Sequence, residues 1–328
     1  MNSEFLSRLC ARLSIGAPVE EARALSGGYL HKMYKVVTER GQYAVKLLNP
    51  HIMRRPDAAA NFARAEALEA LLEGASLPIL PAKTFFGTKM QALDGRFFYV
   101  FDFFDGRAIS PVAVPPDRAA RIGGVLARIH RVKRLDSGFE PDEMRIDWNL
   151  LISPLEKASA ETASLLKEAL PLLKAGEKRR NAAICRIPKS LAVCHGDLDT
   201  KNVLWRGTDF RVIDLECLSM ASPFLELMET SLCWSGLDGT RIDPAALCAF
   251  VRAYAEAGGE LPRDWASLFD ANWSRPYWLK YSIERILGIG SAPDERALGI
   301  RETQKTLRQL HMLEAERESV LQALYALK

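Results

Sequence analysis

The sequence predicts an α+β chain of two lobes, a small antiparallel sheet first and a larger, mainly helical part after it. Three observations carry this. At 328 residues the chain exceeds what one hydrophobic core usually supports. Strand-like alternation broken by turn residues recurs through the first hundred positions, with one helical stretch among the strands, and beyond about residue 106 apolar residues recur mainly at helical spacing. The turn at Asp105-Gly106 is the boundary, giving lobes of residues 1–105 and 106–328.

Taken in order, MNSEFLSRLCARL at the start is an amphipathic helix. Gly27-Gly28 then opens a hairpin that alternates to Val37, turns at Glu39-Arg40-Gly41 and returns from Tyr43 to Leu48. From Ala58 the period changes: Phe62, Ala65, Leu68 or Glu69, and Leu72 share a helical face, and Gly74 and Pro78 end it. Lys83 to Phe86 and the aromatic run Arg96 to Phe104 are further strands. Helices follow over Asp117 to His130 and Ala158 to Leu173. Short strands are expected at Ala192 to Cys194, Val203 to Trp205 and Phe210 to Ile213, then helix again at Pro244 to Gly258 and Asp294 to Leu327. In the last of these Leu307, Leu310, Leu313, Leu321 and Leu324 form one stripe, expected to face the core.

Composition narrows the function. With 48% hydrophobic residues the chain has ample material for a core, which excludes disorder. Forty-four basic against 41 acidic residues leave a net charge of +3, too balanced for bulk attraction to nucleic acid or a membrane. Any anion must be bound by local groups. Six cysteines without a Cys-x-x-Cys pair suggest neither a zinc knuckle nor a disulfide framework and fit a reducing, cytoplasmic setting. The first residues lack the pattern of a signal peptide, and no apolar run is long enough to cross a bilayer.

The chemistry concentrates in residues 195–216, where HGDLDTKNVL is followed by VIDLE. His195, Asp197, Asn202, Asp214 and Glu216 thus lie close together between short strands. Phosphoryl transfer from ATP needs an oxygen to position the attacking hydroxyl, plus carboxylate and amide oxygens for Mg²⁺. Asp197 and Asn202 on one loop supply a base and a metal ligand, and Asp214 a second carboxylate. These hard oxygens suit Mg²⁺ and not zinc. Glu216 either helps to hold a metal or caps a turn. Cys194 and His195, as strand neighbours, point to opposite faces and form no nucleophilic dyad.

His195-Gly196-Asp197 through Asn202, with Ile213-Asp214-Leu215-Glu216, resembles the phosphotransferase loop and metal motif of the aminoglycoside phosphotransferase and choline kinase family. The likeness covers about residues 22 to 235 and implies a bilobal protein-kinase-like fold. It extends to Lys46 in Tyr43-Ala44-Val45-Lys46, which would hold the ATP phosphates, and to Glu66 on the next helix as its ion-pair partner. Glu69 and Glu73 offer the same charge on neighbouring turns. Gly27-Gly28 would cover the phosphates, and adenine would lie against the strand end at Phe101 to Phe104, beside Phe103. Leu126-Ala127-Arg128-Ile129-His130 resembles the helix before the catalytic loop, and Glu226 would stand in for the aspartate that steadies that loop in relatives.

The resemblance implies a kinase that uses ATP and Mg²⁺ to phosphorylate a hydroxyl of a small molecule, an amino alcohol, aminoglycoside or sugar. A catalytically lapsed ATP-binding module and a kinase acting on a protein are the alternatives. Gly196, in place of an arginine that reads an activation loop, argues against the second. On the acceptor side the sequence offers Glu226, Glu229, Asp238 and Asp243 for a cation, and Trp234, Trp273, Tyr277 and Trp278 for a wall, though acids mostly face solvent and aromatics mostly pack cores.

Overall fold

The computed structural model describes residues 1–25, 31–290 and 295–327. The chain divides into two compact units, Met1–Ile109 with Lys201–Leu218, and Ser110–Thr200 with Ser219–Lys328. The sequence-based division assigns 201–218 to the second lobe; backbone pairing places that segment in the first unit.

In the first unit α1 (Ser3–Leu13) is capped by the Asn2 side chain, which accepts the Phe5 N–H, and buries Phe5, Leu6, Leu9, Cys10 and Leu13. The strands are β1 (Arg23–Leu25), β2 (Lys32–Thr38) and β3 (Gly41–Leu47), followed by the short α2 (Pro50–Met53), then α3 (Ala58–Gly74), β4 (Gln91–Leu93) and β5 (Arg96–Asp102). They form one antiparallel sheet in the order β1-β2-β3-β5-β4. The two-residue period sorts its side chains: Val36, Val45, Phe98 and Val100 pack with α1, while Tyr99 packs with Phe62 of α3.

The strand expected at Lys83 to Phe86 is a correction. Only Lys83 reaches the sheet, its N–H donating to Val100 O, before Phe85 and Thr88 close a tight turn. Phe86 and Gly87 there have φ of 52° and 81°. The buried Gln91 amide holds the turn from within by donating to Phe85 O and Thr88 O, so the strand begins after it.

The second unit begins with α4 (Pro116–Val132), β6 (Arg134–Leu135), α5 (Asn149–Ala158), α6 (Ala160–Ile184) and β7 (Leu191–Cys194). The chain then crosses to the first unit as the hairpin β8 (Val203–Arg206) and β9 (Asp209–Val212). Val212 N–H donates to Pro78 O, Leu80 N–H donates to Val212 O, and Arg107 and Trp205 exchange both backbone bonds. These four hydrogen bonds tie the hairpin to the first unit. It returns as β10 (Ser219–Ala221), α7 (Pro223–Cys233), α8 (Pro244–Glu256), α9 (Trp265–Ala271), α10 (Arg275–Ile286) and α11 (Arg296–Tyr325).

β7 lies between β10 and β6. α4 packs closely on α8 through Gly123, where an added Cβ would stand 2.1 Å from Phe250 O. The leucine stripe of α11 is buried throughout. Among the described residues no helix is long and apolar enough to cross a membrane.

Candidate functional site

In the first unit Lys46 extends from β3 and is 7% exposed. Its Nζ lies 2.5 Å from Asp214 Oδ1 and also pairs with Glu216 Oε2. Burial alone would lower the Lys46 pKa, but the charges and hydrogen bonds of Glu216 and Asp214 outweigh it and hold the ammonium above the ordinary lysine range. Asp214 sits at φ 66°, ψ 51°, in the left-handed region, just before the 3₁₀ turn Leu215–Cys217. Its strand end is fixed by Ile213 N–H donating to Asn202 O at 2.9 Å.

Glu66 takes a different partner from the one the resemblance implies. Tyr99 stands opposite Lys46 in the β3/β5 register, and its hydroxyl donates to Glu66 Oε1 at 2.7 Å. Burial, then the Glu66 carboxylate, push the Tyr99 phenol up, so it remains a donor. Glu69 accepts from Lys89 and from Ala82 N–H, and Lys89 also reaches Glu73. Of the three acids on α3, none is the partner of Lys46.

His31 is the residue that sequence reasoning missed here. Its Nδ1 accepts the Asn49 N–H at 2.9 Å and its Nε2 lies 3.0 Å from Glu216 Oε1. Both oxygens of Glu216 are therefore engaged, one by His31 and one by Lys46. Asp214 and Asn202 offer the carboxylate and amide oxygens that a hard divalent cation takes, and so fit Mg²⁺. Phe103 follows β5; its N–H donates to Gln42 O, and Lys35 Nζ lies 4.2 Å from its ring centroid. Gly27 and Gly28 lie outside the described residues.

In the second unit the HGD segment leaves β7. His195 is fully buried; its Nδ1 accepts the Asp197 N–H at 3.3 Å. Gly196 turns at φ 81°, and half-buried Asp197 follows. Glu226 of α7 supports the turn: Oε1 accepts the Gly196 N–H at 2.6 Å, and Oε2 lies 2.8 Å from His130 Nε2. The other ring nitrogen of His130 lies 2.8 Å from the Tyr254 hydroxyl. Burial pushes the Glu226 carboxyl up, but His130 and the Gly196 amide outweigh it and hold it below the usual range.

His130, Cys194 and Glu226 are metal-ligand types within 4.8 Å of one another. Both carboxylate oxygens and both ring nitrogens are already spent on hydrogen bonds, which makes the cluster a brace for the loop. Burial and Glu226 push the Cys194 thiol far up, so it is inert.

The acids suggested by sequence for a cationic acceptor are each compensated. Glu226 is bonded as above, and Glu229 holds Arg275 and Asn272. Asp238 holds Lys305 and Gln309, and Asp243 caps α8 through Ala245 N–H. The aromatics do not gather into one wall. Trp234 is buried under the loop, donating to Leu198 O; Trp273 packs on Gly176; Tyr277 and Trp278 donate to Asp142 and Glu302.

The sequence profile of the phosphotransferase enzyme family (APH) matches residues 21–268. A comparison with curated proteins finds no matching relative. Among solved structures, a spectinomycin phosphotransferase in complex with ADP and spectinomycin superposes with a TM-score of 0.70 at 15% identity, over 96% of this chain and 99% of that one. For the choline kinase from Cryptosporidium parvum Iowa II the values are 0.59 and 11%, over 98% and 97%. For the Plasmodium vivax ethanolamine kinase they are 0.55 and 17%, over 88% and 83%. At these identities the likeness is one of fold, the kinase-like fold of these phosphotransferases.

Proposed function

The chain belongs to the phosphotransferase enzyme family, and we propose that it transfers the γ-phosphoryl group of ATP to a hydroxyl of a small molecule. The observation that carries this reading is the buried Lys46, paired with Asp214 inside one unit. A buried ammonium beside a carboxylate of metal-ligand type is what a nucleotide phosphate and its cation require.

Lys46 would hold the α and β phosphates, and Asn202 and Asp214 would hold Mg²⁺. Glu66 would act through Tyr99, fixing the residue opposite Lys46. Phe103 would lie beside the adenine. Mg²⁺, when bound, would neutralise charge on the phosphates and on the departing oxygen. Asp197 would accept the hydroxyl proton as the acceptor oxygen bonds to the γ-phosphorus and the bond to the β–γ bridging oxygen breaks, leaving ADP. Glu226 and His130 would keep the Asp197 loop in shape.

The acceptor is an uncharged hydroxyl compound of the sugar type ahead of an aminoglycoside or amino alcohol. What supports this is that Glu226, Glu229, Asp238 and Asp243 all have partners of their own, so none of the four is spare for a polycation.

The test is Mg²⁺-dependent ADP formation across sugars, amino alcohols and aminoglycosides, with Asp197→Asn beside each. Acceptor-dependent turnover that falls at least ~100-fold in the variant is expected. Equal turnover in Asp197→Asn would overturn the assigned base, and nucleotide binding without turnover on any acceptor would favour a lapsed module.

A further inference from the structure

We propose that His31 is a positioning residue of the nucleotide site, holding Glu216 and, through it, the Lys46 ammonium where phosphate is received. The inference rests on the phosphotransferase reading above. It also gives Glu216 a role other than metal ligand.

Hydrogen bonds run along a buried line from Asn49 through His31 and Glu216 to Lys46. A backbone N–H can only donate, so the Asn49 N–H, 2.9 Å from His31 Nδ1, fixes that nitrogen as an acceptor. In the neutral ring the proton is then on Nε2, which faces Glu216 Oε1 at 3.0 Å and donates to it. Glu216 Oε2 receives Lys46. A carboxylate held at one oxygen cannot swing away from the ammonium at the other. Asn49 is itself fixed, because its side chain accepts the His51 N–H at the start of α2.

His31 is 7% exposed, and its ring lies 6.4 Å from that of Phe62 on α3. Glu66, which a kinase-type pairing would place against Lys46, is committed to Tyr99. The chain thus steadies its lysine from the metal-motif side, through a histidine whose tautomer is set by a main-chain amide.

The test compares ADP affinity in EDTA, by isothermal titration calorimetry, for wild type, His31→Leu and His31→Gln. Glutamine places an amide N–H near the position of Nε2 and leucine places none, while the Asn49 N–H loses its ring acceptor in both. The two variants should therefore share one loss of thermal stability and differ in binding. Expected is at least a tenfold weaker Kd in His31→Leu and a change within threefold in His31→Gln. Equal affinity in the two variants overturns the proposal and leaves the phosphotransferase reading standing. A wild type that binds no ADP overturns both.

Should His31→Leu not fold, ¹⁵N NMR of the wild-type imidazoles decides. A His31 ring with its proton on Nε2 and Nδ1 accepting, and that proton released to fast exchange in Glu216→Ala, is expected. Protonation at Nδ1 alone refutes the arrangement.

Discussion

Glu226 reaches the Gly196 amide at 2.6 Å with one carboxylate oxygen and His130 Nε2 at 2.8 Å with the other, so a single acid of α7 ties the HGD turn to α4. Removing one member of such a buried network leaves the others desolvated without a partner. Glu226→Ala is therefore expected to destabilise the protein by about 3–5 kcal/mol. Differential scanning calorimetry checks this; a Tm within a degree of wild type would show that the brace is idle.

The same carboxylate gives an acid limb to stability. Its folded pKa is held below the ordinary value, so over that interval the unfolded chain binds more protons and stability rises with pH. The contribution is fully present above the ordinary carboxylate value of about 4.3 and is lost as pH falls through the lower folded value. Tm measured from neutral pH into acid should fall less steeply in Glu226→Gln than in wild type. Parallel curves would contradict the assignment.

Asp214, proposed above as a metal ligand, has a left-handed backbone. Asparagine tolerates that conformation nearly as well as aspartate. Asp214→Asn should therefore add no backbone strain and leave Glu216 as the remaining carboxylate beside Lys46, while losing at least ~100-fold in Mg²⁺-dependent turnover. A loss of stability as large as the loss of turnover would mean that the carboxylate serves mainly to hold Lys46.

Two adjacent glycines on α4 should respond in opposite directions. At Gly123 a Cβ would meet Phe250 O at 2.1 Å, whereas at Gly124 the nearest atoms are 3.9 and 4.0 Å away. Gly123→Ala must part α4 from α8 and should cost about 1–3 kcal/mol. Gly124→Ala meets no such obstacle and should gain about 0.4–1 kcal/mol from the lower entropy of its unfolded chain. Urea denaturation of the pair distinguishes packing from propensity.

How much of this was legible in the sequence follows from where each signal resides. α1, α3 and the α11 stripe repeat their apolar residues at one period, and their faces are buried as that period requires. α7, by contrast, reads PFLELMETSLC and buries residues on several sides, so no stripe marks it and only its acids stand out. α5, α9 and α10 carry no long amphipathic run to mark them in the sequence. The HGD and DLE motifs stood out because polar residues crowd between short strands. His31 did not, since one histidine far in sequence from Glu216 has no spacing to betray it. Glu66 shows a further limit: spacing offers Glu66, Glu69 and Glu73 alike, and only side-chain geometry sends Lys46 to Asp214 and Glu216 instead.

The hairpin β8–β9 belongs to the unit that begins the chain, and this has a consequence for how the protein is made. Lys46 and Asp214 are separated by 168 residues. At about 5–20 residues per second, a ribosome delivers the second roughly 8–34 s after the first. Throughout that interval Pro78 and Leu80 lack the backbone partner that Val212 of β9 supplies, and the lysine lacks both carboxylates. A nascent chain released after residue 109 would leave these groups without their partners, so the first unit is completed only after Ser110–Thr200 of its companion has been synthesised.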